Sequence, residues 1–276
     1  MKQNIYDDKE FSEKYDELRI NQKGQNANDL IEIPAFRKIM PEVKGKKILD
    51  LGCGYGENDK YYKELGAKSV LGLDISTHMI EMANKHNKLK DIDYKVIAME
   101  DINQINEKFD IVISSLAFHY IKDYNKLIKD IYNLLNKDGY LIFSQEHPFT
   151  TCIKYTENVQ NGHTIIDEKY FGLFSDYNRP GIRTKEWFEK DVIKYHRTFT
   201  EIINVLVSNG FSIEKIDEPV ASKEAIVKNP KYINQLDRPF FLIVKAKKIM
   251  LTALWHKWYN IGVTYSRQTR GESLWQ

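Results

Sequence analysis

The sequence has few of the features that mark several large classes of protein. Its 276 residues include two cysteines, Cys53 and Cys152, which are too few for a disulfide framework or a cysteine-rich zinc site. The 41 Lys and Arg side chains nearly balance 39 Asp and Glu, for a net charge of +2. The charge therefore gives no basic footprint of the kind that nucleic acids attract. No apolar run approaches the roughly 20 residues that span a bilayer, and no signal peptide opens the chain.

These absences favour one broad class of protein. We expect a cytoplasmic protein with free thiols, no nucleic-acid partner and no stable insertion in a membrane. Hydrophobic residues make up 42% of the chain and charged residues 29%, which is compatible with a packed core. The length suits one α/β domain with an embellishment, or two small domains.

Apolar strands alternate with amphipathic helices through the first half of the chain. The predicted strands cover residues 47–51, 69–75, 94–98, 109–114 and 139–144, with helices over 57–65, after Ser76 and over 124–135. A further helix over 198–208 precedes two last strands, 211–216 and 240–246. Near-continuous apolar strands separated by helices are typical of a parallel sheet covered on both faces. The sequence therefore predicts an α/β fold.

The chain divides into a central domain with additions. Helical spacing over 7–20 and 27–39 predicts an N-terminal helical region, residues 1–44, ahead of the main domain, residues 45–248. Within that domain the segment 148–197 is aromatic, polar and aperiodic, and long segments of this kind in a compact domain are usually functional. The apolar and aromatic tail, residues 249–276, could be a docking helix, a dimer contact, a membrane-surface segment or a poorly ordered end.

A glycine-rich turn follows the first predicted strand. Such a turn lets a ligand approach the backbone and presents N–H groups at a helix N-terminus. The glycines are Gly52, Gly54 and Gly56, so the third position of the dinucleotide fingerprint is Glu57, whose charge would repel a pyrophosphate. No G-x-x-x-x-G-K-[ST] sequence occurs, which excludes a P-loop.

The strand ends carry a pattern that resembles a known family. Residues 47–56, Lys-Ile-Leu-Asp-Leu-Gly-Cys-Gly-Tyr-Gly, look like the first motif of class I S-adenosylmethionine (SAM)-dependent methyltransferases. Residues 73–76, 99–101 and 109–120 resemble the segments that follow the next three strands. The likeness covers roughly 45–147 well and 198–247 in outline, and is greatest for the small-molecule branch with the methyltransferase type 11 domain.

The resemblance implies a fold and a cofactor. The fold is a Rossmann-like, seven-stranded, mostly parallel sheet with helices on both faces and an antiparallel last strand, plus an aromatic insertion after strand five that caps the substrate. The cofactor is SAM. Its methionine end would lie against Gly52, Cys53 and Gly54, with Asp50 near its ammonium group. Its ribose hydroxyls would bind Asp74.

Further cofactor contacts follow from the same resemblance. Ile75 and Met79 would pack on the adenine, whose amino group would donate to Glu100 or Asp101. The segment after the fourth strand would pass beside the methionine moiety, through Ser115, Leu116 and His119. The N-terminal helical region, residues 1–44, would form a lid over the cofactor. Arg19 in this lid could pair with the cofactor carboxylate, or be a solvated charge on a helix.

The methyl acceptor is less constrained by the sequence. Methyl transfer from a sulfonium needs no metal, and we predict none. The candidates for proton removal are His147 first, then His119 and His196, each of which could instead be structural or solvated. A carboxylate or thiolate acceptor would need no base. Aromatic side chains of the insertion could wall the acceptor pocket or form the core of a cap: Phe149, Tyr155, Tyr170, Phe171, Phe174, Tyr177, Trp187 and Phe188.

We therefore predict an enzyme that transfers a methyl group from SAM to an O, N or C nucleophile of a small molecule by in-line displacement. The alternatives are a catalytically silent SAM-binding regulator, an RNA or protein methyltransferase, and a nicotinamide-dependent dehydrogenase, against which Glu57 argues. We expect a monomer or a homodimer.

Overall fold

The N-terminal region is helical and precedes the sheet. The computed structural model describes residues 3–21, 24–154, 163–167, 169–188 and 190–249. A 3-10 turn, Ile5–Asp7, leads into α1 (Lys9–Asn21). The predicted helix over 27–39 begins as a π-helical turn, Asn28–Glu32, and continues as α2 (Ile33–Ile39). Pro34 at the second position of α2 lacks the N–H that would continue a regular helix across this junction.

The first half of the main domain alternates strands and helices as predicted. In chain order these are β1 (Lys47–Leu51), α3 (Glu57–Glu64), β2 (Ser69–Asp74), α4 (Thr77–His86), β3 (Ile92–Val96), β4 (Phe109–Ser114), α5 (Tyr124–Leu134) and β5 (Leu135–Glu146). The third strand lies two residues earlier than the predicted range 94–98. Its buried side chains are Ile92 and Tyr94, whereas the residues between and after them are exposed. Residues Met99–Gln104 and Phe118–Tyr120 form 3-10 turns.

The second half contains the insertion and the last two strands of the sheet. The elements are α6 (Pro148–Thr151), β6 (His163–Ile166), β7 (Lys169–Gly172), β8 (Gly181–Trp187), β9 (Lys190–His196), α7 (Phe199–Ser208), β10 (Phe211–Asp217), α8 (Lys223–Lys228) and β11 (Phe241–Lys248), with a 3-10 turn at Pro230–Leu236 before β11.

Seven strands form one sheet in the order β10-β11-β5-β4-β1-β2-β3. The pairs among β1 to β5 are parallel, whereas β11 is antiparallel to both β5 and β10. The apolar side chains divide into two large clusters. One includes Leu127 of α5 and Leu206 of α7, and the other includes Phe36 of α2 and Tyr62 of α3. Helices therefore cover both faces, which confirms the predicted fold class.

Local sequence signals set the helix boundaries near the site. Ser76 caps α4, since its hydroxyl accepts from the Met79 N–H at 3.1 Å, as predicted. Asp123 caps α5 in the same way, accepting from the Lys126 N–H at 2.9 Å. The buried side of α5 holds Leu127, Ile128, Ile131 and Leu134, at the spacing of an amphipathic helix.

The insertion is more regular than the sequence suggests. Its described residues form two antiparallel hairpins, β6–β7 and β8–β9, rather than an aperiodic segment. In β9 Val192 and His196 are buried, but Lys194 lies between them on the same side of the strand and Ile193 is exposed, so the strand gives no hydrophobic period. Tyr155, the side chains of Tyr170 and Trp187, and the tail from residue 250 lie outside the described residues. None of the described helices is long and apolar enough to cross a membrane.

Gly56 is predicted to be the glycine on which the turn after β1 depends. It has φ +75° at the N-cap of α3, and an added Cβ would lie 2.2 Å from the Tyr94 hydroxyl oxygen. Gly45 has a similar φ of +73°, but nothing lies within 4 Å of its Cβ position. We expect Gly45→Ala to lower the free energy of unfolding by about 1 kcal/mol through backbone strain alone. We expect Gly56→Ala to lower it by about 3 kcal/mol, because overpacking adds to the strain.

Urea unfolding of the two variants beside the wild type measures the difference. Equal losses in the two variants would contradict the close packing of Tyr94 against the turn.

Candidate functional site

A cavity of about 460 Å³ opens where the carboxyl ends of β1, β2, β4 and β5 meet. This size lies within the usual range for ligand pockets, and the carboxyl ends of strands are where open α/β sheets bind ligands. The N-terminal residues Gln3, Ile5 and Tyr6, residues of α1 and residues of the β8–β9 hairpin also line the cavity. We call the part beside Gly52–Gly54 the loop end and the part beside Glu146 and the hairpin the hairpin end.

The loop end places Asp74 beside an opening in the backbone. Gly54 has φ +54°, and an added Cβ would meet no atom within 4 Å, so the turn leaves space for a ligand. The Gly54 N–H donates to Asp74 Oδ2 at 3.0 Å, and the Ser76 N–H donates to Asp74 Oδ1 at 2.9 Å. Each oxygen keeps a second lone pair. Asp74 is therefore fixed with two acceptor positions side by side, which suits a diol.

Two further acids lie buried beneath the turn. Asp50 at the end of β1 is 2% exposed, and Asp59 in α3 is 0% exposed. Burial, together with the neighbouring carboxyl, raises the pKa of Asp50 well above its usual value, and burial raises that of Asp59 to about 7. Asp50 Oδ1 and both Asp59 oxygens are buried and accept no hydrogen bond from a described residue, and the two carboxyls interact with each other. We infer that they share a proton, because two adjacent buried carboxyls cannot readily both be charged.

Asp59 was missed in the sequence because an acid in the first turn of a helix is ordinary there. The available signal is Gly72 in the middle of β2. A Cβ at Gly72 would lie 2.6 Å from Asp59 Oδ2, so the strand makes room for the carboxyl.

Glu32 of the π-helical turn is a second acid that the sequence did not reveal. It is fully buried and lines the cavity. Its Oε1 accepts from the Ser115 hydroxyl at 2.9 Å and from the Ser144 hydroxyl. Burial raises the pKa of Glu32 to about 7, although the two serine hydroxyls oppose the shift. The lid therefore reaches the ends of β4 and β5 through one carboxylate.

Arg19 lines the cavity and is paired with acidic side chains rather than solvated. Its side chain is 16% exposed, and Nη2 lies 2.5 Å from Glu57 Oε2. Its Nη1 lies 3.8 Å from Asp29 Oδ1. Glu57, the residue that argues against a pyrophosphate, therefore holds the arginine beside the glycine turn.

The hairpin end carries lysines. Lys194 Nζ lies 2.5 Å from Glu146 Oε1, and Lys185 lines the same wall. Burial by itself would raise the pKa of Glu146, but the nearby Lys194 ammonium outweighs it and lowers that pKa to about 2. Burial lowers the pKa of His119 to about 3, so its imidazole is neutral, and its Nδ1 accepts from the Glu146 N–H at 3.4 Å.

Most of the predicted cofactor residues meet in this one cavity. Those lining it are Arg19, Asp50, Gly52, Cys53, Gly54, Asp74, Ile75, Met79, Glu100, Ser115, Leu116 and His119. Asp101 does not line it, although Glu100 in the same 3-10 turn does.

The three predicted histidines occupy different places, and His119 is the one of them that lines the cavity. His147 Nε2 lies 2.8 Å from Glu218 Oε1, and its Nδ1 accepts from the Phe149 N–H. His196 bridges the Thr151 hydroxyl and the Tyr177 carbonyl, at 2.9 Å from each. His147 and His196 therefore pack within the insertion and its base rather than at the cavity wall.

Comparison with known proteins agrees with this geometry. Residues 49–143 match a family described as a methyltransferase domain. The fold superposes on a SAM-dependent methyltransferase of Mesorhizobium loti with a TM-score of 0.71 and 34% identity, covering 79% of this chain and 97% of that one. An uncharacterized protein of Haemophilus influenzae is 36% identical over 255 residues, 89% of this chain and 97% of its own. A ubiquinone biosynthesis O-methyltransferase of Pelagibacter ubique is 38% identical over 178 residues, 63% of this chain and 65% of its own.

The shared proton beneath the turn gives a pH-dependent stability. An acid whose pKa is raised on folding stabilises the fold below its unfolded value, 3.8 for Asp59, and that contribution is lost as the pH rises through about 7. Asn at position 59 mimics the protonated carboxyl at every pH. We therefore expect Asp59→Asn to raise the Tm of the ligand-free protein by several degrees relative to wild type at pH 8.5, and much less at pH 5.

Differential scanning calorimetry at both pH values measures this, with Asp93→Asn as the control. The Asp93 side chain is 76% exposed beside Lys88, so its substitution should leave the pH dependence of the Tm unchanged. If the Tm of wild type and of Asp59→Asn changed by the same amount between pH 5 and pH 8.5, the shared proton would be ruled out.

Proposed function

The chain belongs to the SAM-dependent methyltransferases, and we propose that it transfers the methyl group of SAM to a negatively charged oxygen, a carboxylate, of a small molecule. SAM is the cofactor, and the chain is an enzyme of the methyltransferase class. The proposed acceptor class depends mainly on the hairpin end of the cavity. There the lysines lie beside Glu146 and His119, neither of which readily takes a proton.

The loop end fits the cofactor. SAM carries an electrophilic methyl group on a sulfonium, which leaves as a neutral thioether. Its positive charges suit a wall that holds Glu32, Asp50 and Asp74. Asp74 would hold the ribose hydroxyls, and the space at Gly54 admits the cofactor close to the backbone.

The adenine would pack between apolar side chains beside Asp74. Ile75 and Met79, which follow β2, line that part of the cavity, and Met79 is 2% exposed. Glu100 would accept from the adenine amino group. Arg19, held by Glu57, would face the cofactor carboxylate.

The hairpin end favours an acceptor that is already anionic. A general base works best when its pKa lies near the operating pH. The pKa of His119 is lowered to about 3 by burial, and that of Glu146 to about 2 mainly by Lys194 against the opposing effect of burial, so neither group would readily take a proton. A carboxylate has no proton to lose. Its charge would instead be held by Lys185 and Lys194.

The remaining residues would align the acceptor and exclude water. An acceptor oxygen held by the lysines attacks in line with the bond from sulfur to the methyl carbon, and that alignment is the main catalytic requirement. The N-terminal residues and the β8–β9 hairpin both line the cavity and contact each other, since the Ile193 N–H donates to Gln3 Oε1 at 2.7 Å, so the lid and the insertion would together cover both ligands. Oxygen as the acceptor atom agrees with the O-methyltransferase relative of Pelagibacter ubique.

Turnover with isotopically labelled SAM tests the acceptor class. We expect methyl transfer to members of a panel of aliphatic and aromatic monocarboxylic acids, and none to the matched primary amides. The product should be a methyl ester, which releases volatile labelled methanol on treatment with alkali. An alkali-stable product would exclude a carboxylate acceptor, and no transfer to any acid, with SAM bound, would favour a silent SAM-binding protein.

A lysine variant tests the charge at the hairpin end. We expect Lys185→Met to lower kcat/KM for the acid at least about tenfold, because a charge-assisted contact is lost. This substitution leaves the ion pair between Lys194 and Glu146 in place. The dissociation constant of S-adenosylhomocysteine should stay within about twofold of the wild-type value. Lys88→Met, which removes an exposed cation paired with Asp93, is the matched control and should leave both values unchanged.

A further inference from the structure

Glu32 has an oxygen that the described residues do not satisfy. The side chain is fully buried and lines the cavity. Both serine hydroxyls, of Ser115 and Ser144, donate to Oε1. Oε2 is buried and accepts no hydrogen bond from any described residue. A buried carboxylate oxygen without a donor is costly, so this atom is suited to a ligand that donates hydrogen bonds.

The nearby cations do not fill this position. Arg19 and Arg37 both favour the charged form of Glu32 by their proximity. Arg19 is bonded to Glu57 instead, and the Arg37 guanidinium stacks 3.6 Å above the ring centroid of Tyr61. A positively charged donor is therefore favoured at Oε2, and a ligand in the cavity that Glu32 lines could supply it.

Asp50 is the other acid at the loop end that could take such a donor. Asp50 also lines the cavity, and its Oδ1 likewise accepts no hydrogen bond from a described residue. It differs from Glu32 in its surroundings, because burial and the adjacent Asp59 carboxyl raise its pKa well above the usual value, whereas two serine hydroxyls, Arg19 and Arg37 support the charged form of Glu32. An acid whose charged form is opposed by a second carboxyl is the weaker partner for an external cation. This contrast favours Glu32 over Asp50, the residue that the sequence resemblance implied.

We propose that Glu32 Oε2 accepts a hydrogen bond from the α-ammonium group of the cofactor, while Arg19 faces the α-carboxylate. This inference rests on the proposed function. An amino acid end requires one fixed anion and one fixed cation close together. Glu32 and Arg19 line the same cavity and interact electrostatically. Each is fixed by other residues, Glu32 by two serines and Arg19 by Glu57.

The proposal also explains why the lid and the sheet meet at this carboxylate. Ser115 follows β4 and Ser144 lies near the end of β5, whereas Glu32 belongs to the N-terminal region. A cofactor bound to Glu32 would therefore contact the lid and the strand ends at once. The N-terminal region would take part in recognising the amino acid end of the cofactor, besides covering it.

Isothermal titration calorimetry with two ligands tests the contact without any acceptor. The ligands are S-adenosylhomocysteine and its deamino analogue, in which hydrogen replaces the α-amino group. We expect the wild type to bind S-adenosylhomocysteine about 10- to 100-fold more tightly than the analogue, the usual effect of a hydrogen bond to a charged group. Glu32→Gln should lose this preference by weakening S-adenosylhomocysteine alone.

Asp74→Asn is the matched control, because its proposed partner, the ribose, is present in both ligands. It should weaken both by the same factor and keep the preference. If Glu32→Gln weakened both ligands equally, the role of Glu32 would be to hold the lid, and the proposal would be wrong. If Glu32→Gln left the affinity for S-adenosylhomocysteine unchanged, the proposed contact between Glu32 and the ammonium group would also be wrong.

The wild type alone gives an independent test, should Glu32→Gln not fold. Equal affinities of the wild type for the two ligands would overturn the ammonium contact and leave the proposed function intact. The compound 5′-methylthioadenosine lacks the whole amino acid end. If the wild type bound neither S-adenosylhomocysteine nor 5′-methylthioadenosine, the proposed function itself would be overturned.

Discussion

The burial of several carboxyl groups at one end of the sheet constrains the rest of this structure. Glu32, Asp50, Asp59 and Asp74 are all less than 10% exposed. Burying charged oxygens is expensive unless protons, donors or cations compensate. Asp74 is compensated by backbone N–H groups, the Asp50 and Asp59 pair by a shared proton, and Glu32 in part by two serines. The compensation is incomplete, and that deficit is what a cationic ligand relieves.

The opposite end of the cavity has the reverse polarity. Lys185 and Lys194 come from the β8–β9 hairpin, and Glu146 from β5 pairs with Lys194. One cavity therefore favours a cation at the loop end and an anion at the hairpin end. The sulfonium cofactor and the proposed carboxylate acceptor match these two preferences, and their opposite charges would also draw the reacting atoms together. This complementarity selects for partners by charge as well as by shape.

The sequence predicted what depends on local pattern and missed what depends on distant contacts. The strand Phe109–Ser114 and the Ser76 cap could be predicted because each follows from hydrophobic period or capping chemistry within a few residues, whereas the role of Asp74 was implied by the family resemblance. The roles of Glu32 and Asp59 could not, since their partners lie on other elements. Glu32 contacts residues 83 and 112 positions away. The hairpins of the insertion were also missed, because their alternation is polar rather than hydrophobic.

The lid is fixed by polar contacts to the residues that form the cofactor site. Asp7 accepts from the Ser76 hydroxyl at 2.6 Å and from the first N–H groups of α4, so it lies at the positive end of that helix. The Tyr55 hydroxyl donates to Asp16, and Arg19 pairs with Glu57. Each contact joins the N-terminal region to the glycine turn or to α4, so moving the lid must break them together. The proposed cofactor contacts at Glu32 and Arg19 would add to this set of contacts, because both residues belong to the same N-terminal region and line the cavity.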